Sequence, residues 1–144
     1  MNNSPNFLES CEMLGLNPDE LMLSPTLSDN TPDSVRKRIK QLNAATKLSI
    51  CMMAWNKIDE FEPDETAFNN QKNEGYAPFF YLEHNGFLSL GYATDSSYVG
   101  LVSIYKNYTN IVSHACIGLR FSFITRERAY EFGKAFIEIF NELI

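Results

Sequence analysis

The sequence predicts an α+β fold with N-terminal helices, a three- to four-stranded antiparallel sheet, and a C-terminal helix packed on one face of that sheet. Apolar residues recur at three- and four-residue spacing in the first 60 residues and again after Thr125, as they do on amphipathic helices. Between residues 76 and 124 the apolar period changes to two and aromatic residues become frequent, which is typical of strands. The short connections between these strands favour antiparallel pairing.

Two short helices are predicted at the N-terminus. Ser4-Pro5 provides a capping residue followed by proline, and the apolar spacing over Phe7–Leu14 indicates a helix that Gly15 ends. Asn17-Pro18 repeats the start signal and predicts one further helical turn.

A much longer helix follows. Thr31-Pro32-Asp33 is its start signal, and the helix is predicted to end near Lys57. One stripe of residues at three- and four-residue spacing supports this helix, and Leu48, Met52 and Trp55 lie beside the stripe. The members of the stripe are Val35, Ile39, Leu42, Thr46, Ser49 and Met53.

The strongest strand signal is a hairpin around Asn85-Gly86, for which we expect a two-residue primed turn. Its strands are predicted over Phe79–Glu83 and Phe87–Tyr92. A third strand is expected over Tyr98–Tyr105, followed by a loop at 106–110. Residues 111–115 form either a short strand or the approach to the last strand, Cys116–Ile124, whose alternating apolar residues indicate one buried face.

Thr125 is predicted to cap a helix that continues to Leu143. Its apolar residues include Phe132 and Phe136, which we expect to pin the helix to the sheet. Gly133 lies inside the same stripe, where glycine costs about 1 kcal/mol of helix propensity relative to alanine. We therefore expect Gly133 to permit close approach to the sheet.

Length and composition bound the organisation and the partners. The 144 residues predict one domain, 1–144, with a helical part at 1–60 and the sheet plus the C-terminal helix at 76–144. The net charge of −6 disfavours nucleic acid as a partner. The chain has no apolar run long enough for a membrane span and begins without a signal-peptide pattern, so we expect a cytoplasmic location in the host cell and no membrane partner.

Motifs for catalysis, metals and cofactors are not found. The three cysteines are widely spaced and lie in apolar-periodic segments, so reduced core thiols are expected rather than disulfides or a metal site. The sequence has no nucleophile elbow, no phosphate-binding glycine loop with its lysine and no paired-cysteine motif. We expect no cofactor and favour a non-enzymatic protein, with an enzyme that lacks a local motif left as an alternative.

Four basic residues crowd the first turns of the long helix, namely Arg36, Lys37, Arg38 and Lys40. Positive charge at a helix N-terminus opposes the helix dipole and gains nothing locally. We interpret the cluster as a partner-binding site for an acidic protein or a phosphate group. The alternative is a solvated helix face balanced by the acidic run Asp59–Glu65, in this chain or in a second copy.

A second candidate site lies on the predicted sheet. Arg120 falls on the strand face away from the apolar residues, between Gly118 and Ser122, where a guanidinium could hold a carboxylate or phosphate. Tyr81, Tyr92 and Tyr98 could stack on a planar ligand. The predicted ligand-binding residues are therefore Arg120, Tyr81, Tyr92, Tyr98 and Ser122. The alternative is structural: tyrosines pack well in strands, and Arg120 could pair with Glu83 across the sheet.

Several segments resemble a known group of sequences. Tyr76–Phe80, Gly118–Thr125 and Phe132–Ile137 are similar to segments of small uncharacterised proteins encoded by phages and mobile elements of gut Bacteroidales. The resemblance implies a phage setting and supplies no activity.

These observations together predict a non-enzymatic phage accessory protein that binds a host protein or a small, anionic, nucleotide-like ligand, in the service of counter-defence. The alternative is a structural or assembly component of the virion. The many aromatic residues and the opposed charge clusters also predict a homo-oligomer.

Overall fold

The computed structural model describes residues 2–62, 76–91, 103–108, 111–116 and 122–144, with 103–108 and 111–116 described as backbone. The chain divides into two compact units, one comprising Met1–Trp55 and Glu138–Ile144 and the other Asn56–Ile137. The boundary near residue 56 is close to the predicted end of the helical part at residue 60, but the last seven residues belong with the helical unit. A single domain over 1–144 stays a prediction.

The first two helices are set by local capping. Helix α1 spans Phe7–Leu14; the side chain of Asn6 accepts from the backbone N–H of Glu9, and the Glu9 carboxylate accepts from the Asn6 N–H in return. The predicted cap at Ser4-Pro5 is wrong, because this reciprocal pair puts the N-cap one residue after the proline. Gly15 ends α1 in the left-handed conformation with φ 68°, as the sequence indicated. Helix α2 spans Pro18–Leu21 with Asn17 as its N-cap.

Helix α3 spans Asp33–Ile58, which confirms the long helix. Its last turn closes in a Schellman motif, since the N–H of Phe61 donates to the carbonyl of Asn56 and the N–H of Glu60 donates to that of Lys57. Glu60 holds the left-handed position with φ 53°, where glycine is the usual residue.

The core of the helical unit lies on one stripe of α3, which contains Ala44, Leu48, Cys51 and Trp55, all fully buried. The indole N–H of Trp55 donates to the carbonyl of Pro5 at 3.0 Å and so fixes the segment before α1. The stripe from Val35 to Met53 that supported the helix in sequence is a different one, and it is exposed or half-buried along its length. The residues that predicted the helix are therefore not the ones that form its buried face, apart from Leu48 and Trp55.

The second unit contains the predicted hairpin. Strands β1, Phe79–Leu82, and β2, Leu88–Gly91, pair antiparallel, with Phe80 opposite Leu90. The two-residue primed turn is wrong. Glu83 and Phe87 close a three-residue loop, and only Gly86 has a positive φ, 83°, whereas a type I′ turn requires positive φ at both central residues.

Backbone pairing continues beyond the hairpin in two further segments. Strands β3, Ser103–Tyr108, and β4, Ile111–Cys116, pair antiparallel, so strand structure occupies part of the predicted loop at 106–110. Strand β3 runs parallel to β1, which differs from the wholly antiparallel sheet that we predicted. Residues 92–102 separate β2 from β3, and a connection of about this length permits a crossover where a tight turn would not. The predicted strand Cys116–Ile124 lies largely outside the described residues, although Phe123 forms a bridge with Tyr76.

The C-terminal helix is interrupted. Helix α4 spans Arg126–Ala135, the hydroxyl of Thr125 caps it, and the chain leaves helical geometry at Phe136 before α5, Ile137–Asn141. The predicted unbroken helix to Leu143 is wrong, because Phe136 is buried against Phe132 with its backbone outside the helical region. N-terminal helices, an antiparallel β1–β2 pair and C-terminal helices nevertheless confirm the α+β class.

Helix α4 packs on the hairpin, as predicted. A Cβ built on Gly133 would lie 2.7 Å from Cδ1 of Leu90 and 3.3 Å from Cβ of Pro78, so only glycine fits this contact without a shift. The ring of Phe132 is fully buried, with its centroid 4.7 Å from that of Phe123. The expected close approach at Gly133 is therefore confirmed.

Candidate functional site

The basic cluster of α3 is the one predicted site that is described in full. Arg36, Lys37, Arg38 and Lys40 are all exposed and lie within the first eight residues of the helix. The guanidinium of Arg36 donates to the carbonyl of Ser28 at 2.8 Å, so its position is fixed by the loop that precedes α3. No sequence pattern predicted this contact, which joins residues eight positions apart across a turn.

The other three cations have no such tether. Within the part of the chain that the structure describes, no hydrogen bond or ion pair is formed by Lys37, Arg38 or Lys40. Asp33 is the acidic residue in the first turn of α3. The cluster is therefore a concentration of exposed positive charge at the helix end where the dipole disfavours it.

Apolar side chains accompany this charge. Val35 is 43% exposed and Leu42 is 48% exposed, and they lie about one turn before and after Arg38 on the same side of α3. Met53 continues the stripe and is 49% exposed. A surface that combines cations with large apolar groups can hold an acidic partner and also bury hydrophobic area against it.

The acidic run that follows α3 is partly engaged elsewhere. The Nε of Arg128 lies 2.7 Å from the carboxylate of Asp59, and the two side chains are only 11% and 18% exposed. Asp59 is thus bound within the second unit. Glu60 and Glu62 are exposed, whereas residues 63–65 of the predicted run lie outside the described residues.

The structure places two of the five predicted ligand-binding residues. Tyr81 is exposed on β1, and its ring meets that of Phe79 edge-on with centroids 5.1 Å apart. Both rings lie over Gly91, where an added Cβ would come within 3 Å of each. Ser122 is buried, and its carbonyl accepts from the side-chain amide of Asn56 at 2.9 Å. Arg120, Tyr92 and Tyr98 lie outside the described residues, so these assignments stay predictions.

Glu83, the residue that we considered as a structural partner for Arg120, lies in the described part of the chain. Its carboxylate accepts from the hydroxyl of Ser89 across the hairpin. The residue that we considered as a partner for Arg120 therefore has a neighbour on β2 already.

A polar cluster at the start of α4 was not anticipated from sequence. Besides the Arg128–Asp59 pair, the guanidinium of Arg126 lies 5.9 Å from the ring centroid of Tyr76. The side chain of Asn56 is buried, and within the described residues its Oδ1 has no hydrogen-bond partner. These residues are scattered over three segments of sequence, and only folding brings them together.

Two of the cysteines are inert core groups. Cys11 and Cys51 are free and buried in the helical unit. Burial raises the pKa of Cys11 and raises the pKa of Cys51 to about 12, so both are neutral thiols near pH 7. They are poor nucleophiles and poor metal ligands in this state. Cys116 lies on β4, of which only the backbone is described.

The described ranges contain no group of three or more histidine, cysteine, aspartate or glutamate side chains arranged to bind a metal ion. Among the same residues, none of the helices combines the length and the apolar character needed to cross a membrane.

Comparison with known proteins adds no assignment: the sequence matches no protein-family model, and neither the curated proteins nor the solved structures yield a match.

Proposed function

We propose that this chain is a non-enzymatic phage accessory protein that binds an acidic host protein through the first turns of α3. The observation that carries the proposal is the exposed group Lys37, Arg38 and Lys40, which no hydrogen bond or ion pair holds within the described part of the chain. Lys37 and Lys40 are three residues apart on α3, and like charges at this spacing destabilise a helix by about 0.2–0.5 kcal/mol, which a partner carboxylate would offset. Binding in the host cytoplasm and a counter-defence role are parts of the same proposal.

The surrounding surface supports a protein rather than a free anion as the partner. The exposed side chains of Val35 and Leu42 lie about one turn before and after Arg38, and a small anion bound there would leave this apolar area in water. A protein segment with alternating acidic and apolar groups would cover both. We also propose that the fold includes the full sheet of three to four strands.

The experiment is co-purification of the tagged protein from cells in which the phage replicates, with the captured proteins identified by mass spectrometry. The test variant is Lys37→Glu/Lys40→Glu, and the control is Lys134→Glu, which reverses one exposed lysine on α4. We expect one acidic host protein to bind the parent and the control, to bind the double variant at least tenfold less, and to dissociate as salt is raised.

Two outcomes would contradict the proposal. Equal capture by the parent and the double variant would remove the basic cluster from the binding surface. Stoichiometric presence of the chain in purified phage particles would favour the virion component instead.

A small-ligand function is the second candidate, and Tyr81 is the observation that favours it. Tyr81 is 42% exposed and its ring meets that of Phe79 edge-on, an orientation that leaves the ring available for stacking against a planar group. A thermal-shift screen with nucleotides tests this function: a stabilising nucleotide whose effect is lost in Tyr81→Ala but kept in Phe87→Ala would support it.

A further inference from the structure

The contacts of the hairpin show which face of the sheet α4 covers. A Cβ built on Gly133 would meet the side chain of Leu90, so Leu90 lies on the face toward α4. A Cβ built on Gly91 would instead meet the rings of Phe79 and Tyr81. These rings therefore share the opposite face, because successive residues of a strand point to opposite sides. We call this opposite side the far face of the sheet.

The register extends both faces to β3 and β4, because residues that pair across neighbouring strands lie on the same face. One row across the sheet belongs to the face toward α4, and all its members are apolar: Leu90, Phe80, Ile104 and Ala115. The next row belongs to the far face, and we call it the far row. All its members have polar groups: Ser89, Tyr81, Tyr105 and His114. The apolar row agrees with burial under α4, so the packing supports the register that assembles the far row.

The far row combines aromatic residues with hydrogen-bonding residues. Tyr81 and Tyr105 hold adjacent register positions on β1 and β3, the two central strands. Ser89 and His114 hold the positions at the two ends of the row. Aromatic side chains stack on the face of any nucleobase, and hydroxyl and imidazole groups match the donors and acceptors at its edge.

Charge restricts the ligand to an uncharged one. Among the described strand residues of the far face there is no lysine or arginine, and Lys106 holds a register position on the face toward α4. Phosphate recognition relies on such cations. A single-stranded nucleic acid carries the same bases, but its phosphates would approach a chain of net charge −6 without a cation on this face.

We propose that the far row binds the base of a free nucleoside. Tyr81 and Tyr105 are the stacking residues of this site. Ser89 and His114 are its hydrogen-bonding residues. The inference rests on the small-ligand function and the full sheet proposed above, and it goes beyond them by naming the base as the recognised group and by adding three residues to Tyr81.

The test is isothermal titration calorimetry of the purified full chain with adenosine, guanosine, cytidine and uridine, and with their 5′-monophosphates. At least one nucleoside should bind, and its monophosphate should bind no more tightly. Tyr105→Leu should weaken binding at least about fivefold through loss of base stacking, whereas Tyr105→Phe keeps a ring and should lose much less. Tyr108→Leu is the matched control, because Tyr108 lies on the same strand at a register position of the other face, and it should bind like the parent.

A second variant keeps the test decisive if Tyr105→Leu does not fold. His114→Ala changes the strand at the edge of the sheet and should weaken nucleoside binding about threefold, as expected for one lost hydrogen bond. Far-UV circular dichroism of each variant checks that it is folded.

The inference is overturned if no nucleoside binds with a Kd below about 1 mM, or if a monophosphate or a short single-stranded oligonucleotide binds more than about tenfold more tightly than the nucleoside. Equal binding by folded Tyr105→Leu and the parent would also overturn it. If Tyr81→Leu alone lost binding, the small-ligand function would stand and the far row would fail. Lys37→Glu/Lys40→Glu should bind nucleosides like the parent, so failure here and failure of host-protein binding are distinguishable.

Discussion

Truncating Phe132 tests whether α4 is held to the hairpin by aromatic packing. Phe132 is fully buried, and its ring centroid lies 4.7 Å from that of Phe123 and 4.6 Å from that of Phe136. Phe132→Ala should lower the free energy of unfolding by about 3–5 kcal/mol, which combines the lost transfer of the ring with the cavity that remains.

The upper part of this range is expected from the neighbouring contacts. The close approach of Gly133 to Leu90 and Pro78 already brings α4 against the hairpin, so the helix has little room to move into the cavity. Each lost aromatic pair adds about 0.5–1.5 kcal/mol beyond the buried area. A small domain has only about 5–15 kcal/mol of stability, so the variant should be close to unfolding at room temperature.

The measurement is urea denaturation followed by far-UV circular dichroism, with the midpoint and the slope fitted separately. Phe132→Leu should lose less, because most of the volume remains. Phe87→Ala is the matched control: this ring is 62% exposed, and the change should stay within about 0.5 kcal/mol. Equal midpoints for Phe132→Ala and Phe87→Ala would refute the placement of α4 on the hairpin.

Four further changes have defined outcomes. Gly133→Ala should destabilise by about 1 kcal/mol in the same urea assay, because overpacking against Leu90 and Pro78 exceeds the gain of about 1 kcal/mol in helix propensity; a rise in the midpoint would show that Leu90 yields freely. Glu60→Gly should raise the melting temperature, since it relieves about 1 kcal/mol of left-handed strain; Glu62→Gly, which follows the cap, is the control and should not. Arg128→Ala should cost about 1.5–3 kcal/mol by leaving the carboxylate of Asp59 largely buried without its partner, whereas Lys134→Ala, at an exposed site on the same helix, should be nearly neutral. Burial raises the pKa of Cys51 to about 12, so between pH 9 and pH 12 the unfolded chain releases the thiol proton and the folded chain keeps it. The free energy of unfolding of the parent should therefore fall as the pH rises. In denaturation at several pH values, the stability difference between the parent and Cys51→Ala should shrink by about 1.4 kcal/mol per pH unit.

Elements fixed by interactions within a few residues could be predicted from the sequence. The stop at Gly15, the cap at Asn17 and the cap at Thr125 each depend on a backbone group no more than four residues away. The hairpin around Asn85-Gly86 was found for the same reason. Its turn type was not, because the choice between two and three loop residues is made by how the flanking strands pair.

The candidate site likewise contains residues that could be predicted from sequence and residues that could not. The basic cluster was visible because its four residues are adjacent in sequence. The polar cluster of Asn56, Tyr76 and Arg126 was not, since its members lie tens of residues apart and only folding brings their segments together.

Helix α3 shows why tertiary structure had to decide the rest. Its sequence carries two apolar stripes with the same periodicity, and either could face a core. Folding buries the stripe of Leu48 and Trp55, which also contains the small residues Ala44 and Cys51 that allow close packing. The indole N–H of Trp55 then donates to the carbonyl of Pro5. The other stripe contains Thr46 and Ser49 in its middle, so burying it would remove less apolar area from water. The sequence therefore determined that α3 is a helix, whereas the packing of distant segments, including the carbonyl of Pro5 50 residues away that accepts from Trp55, accompanies the burial of one of its faces.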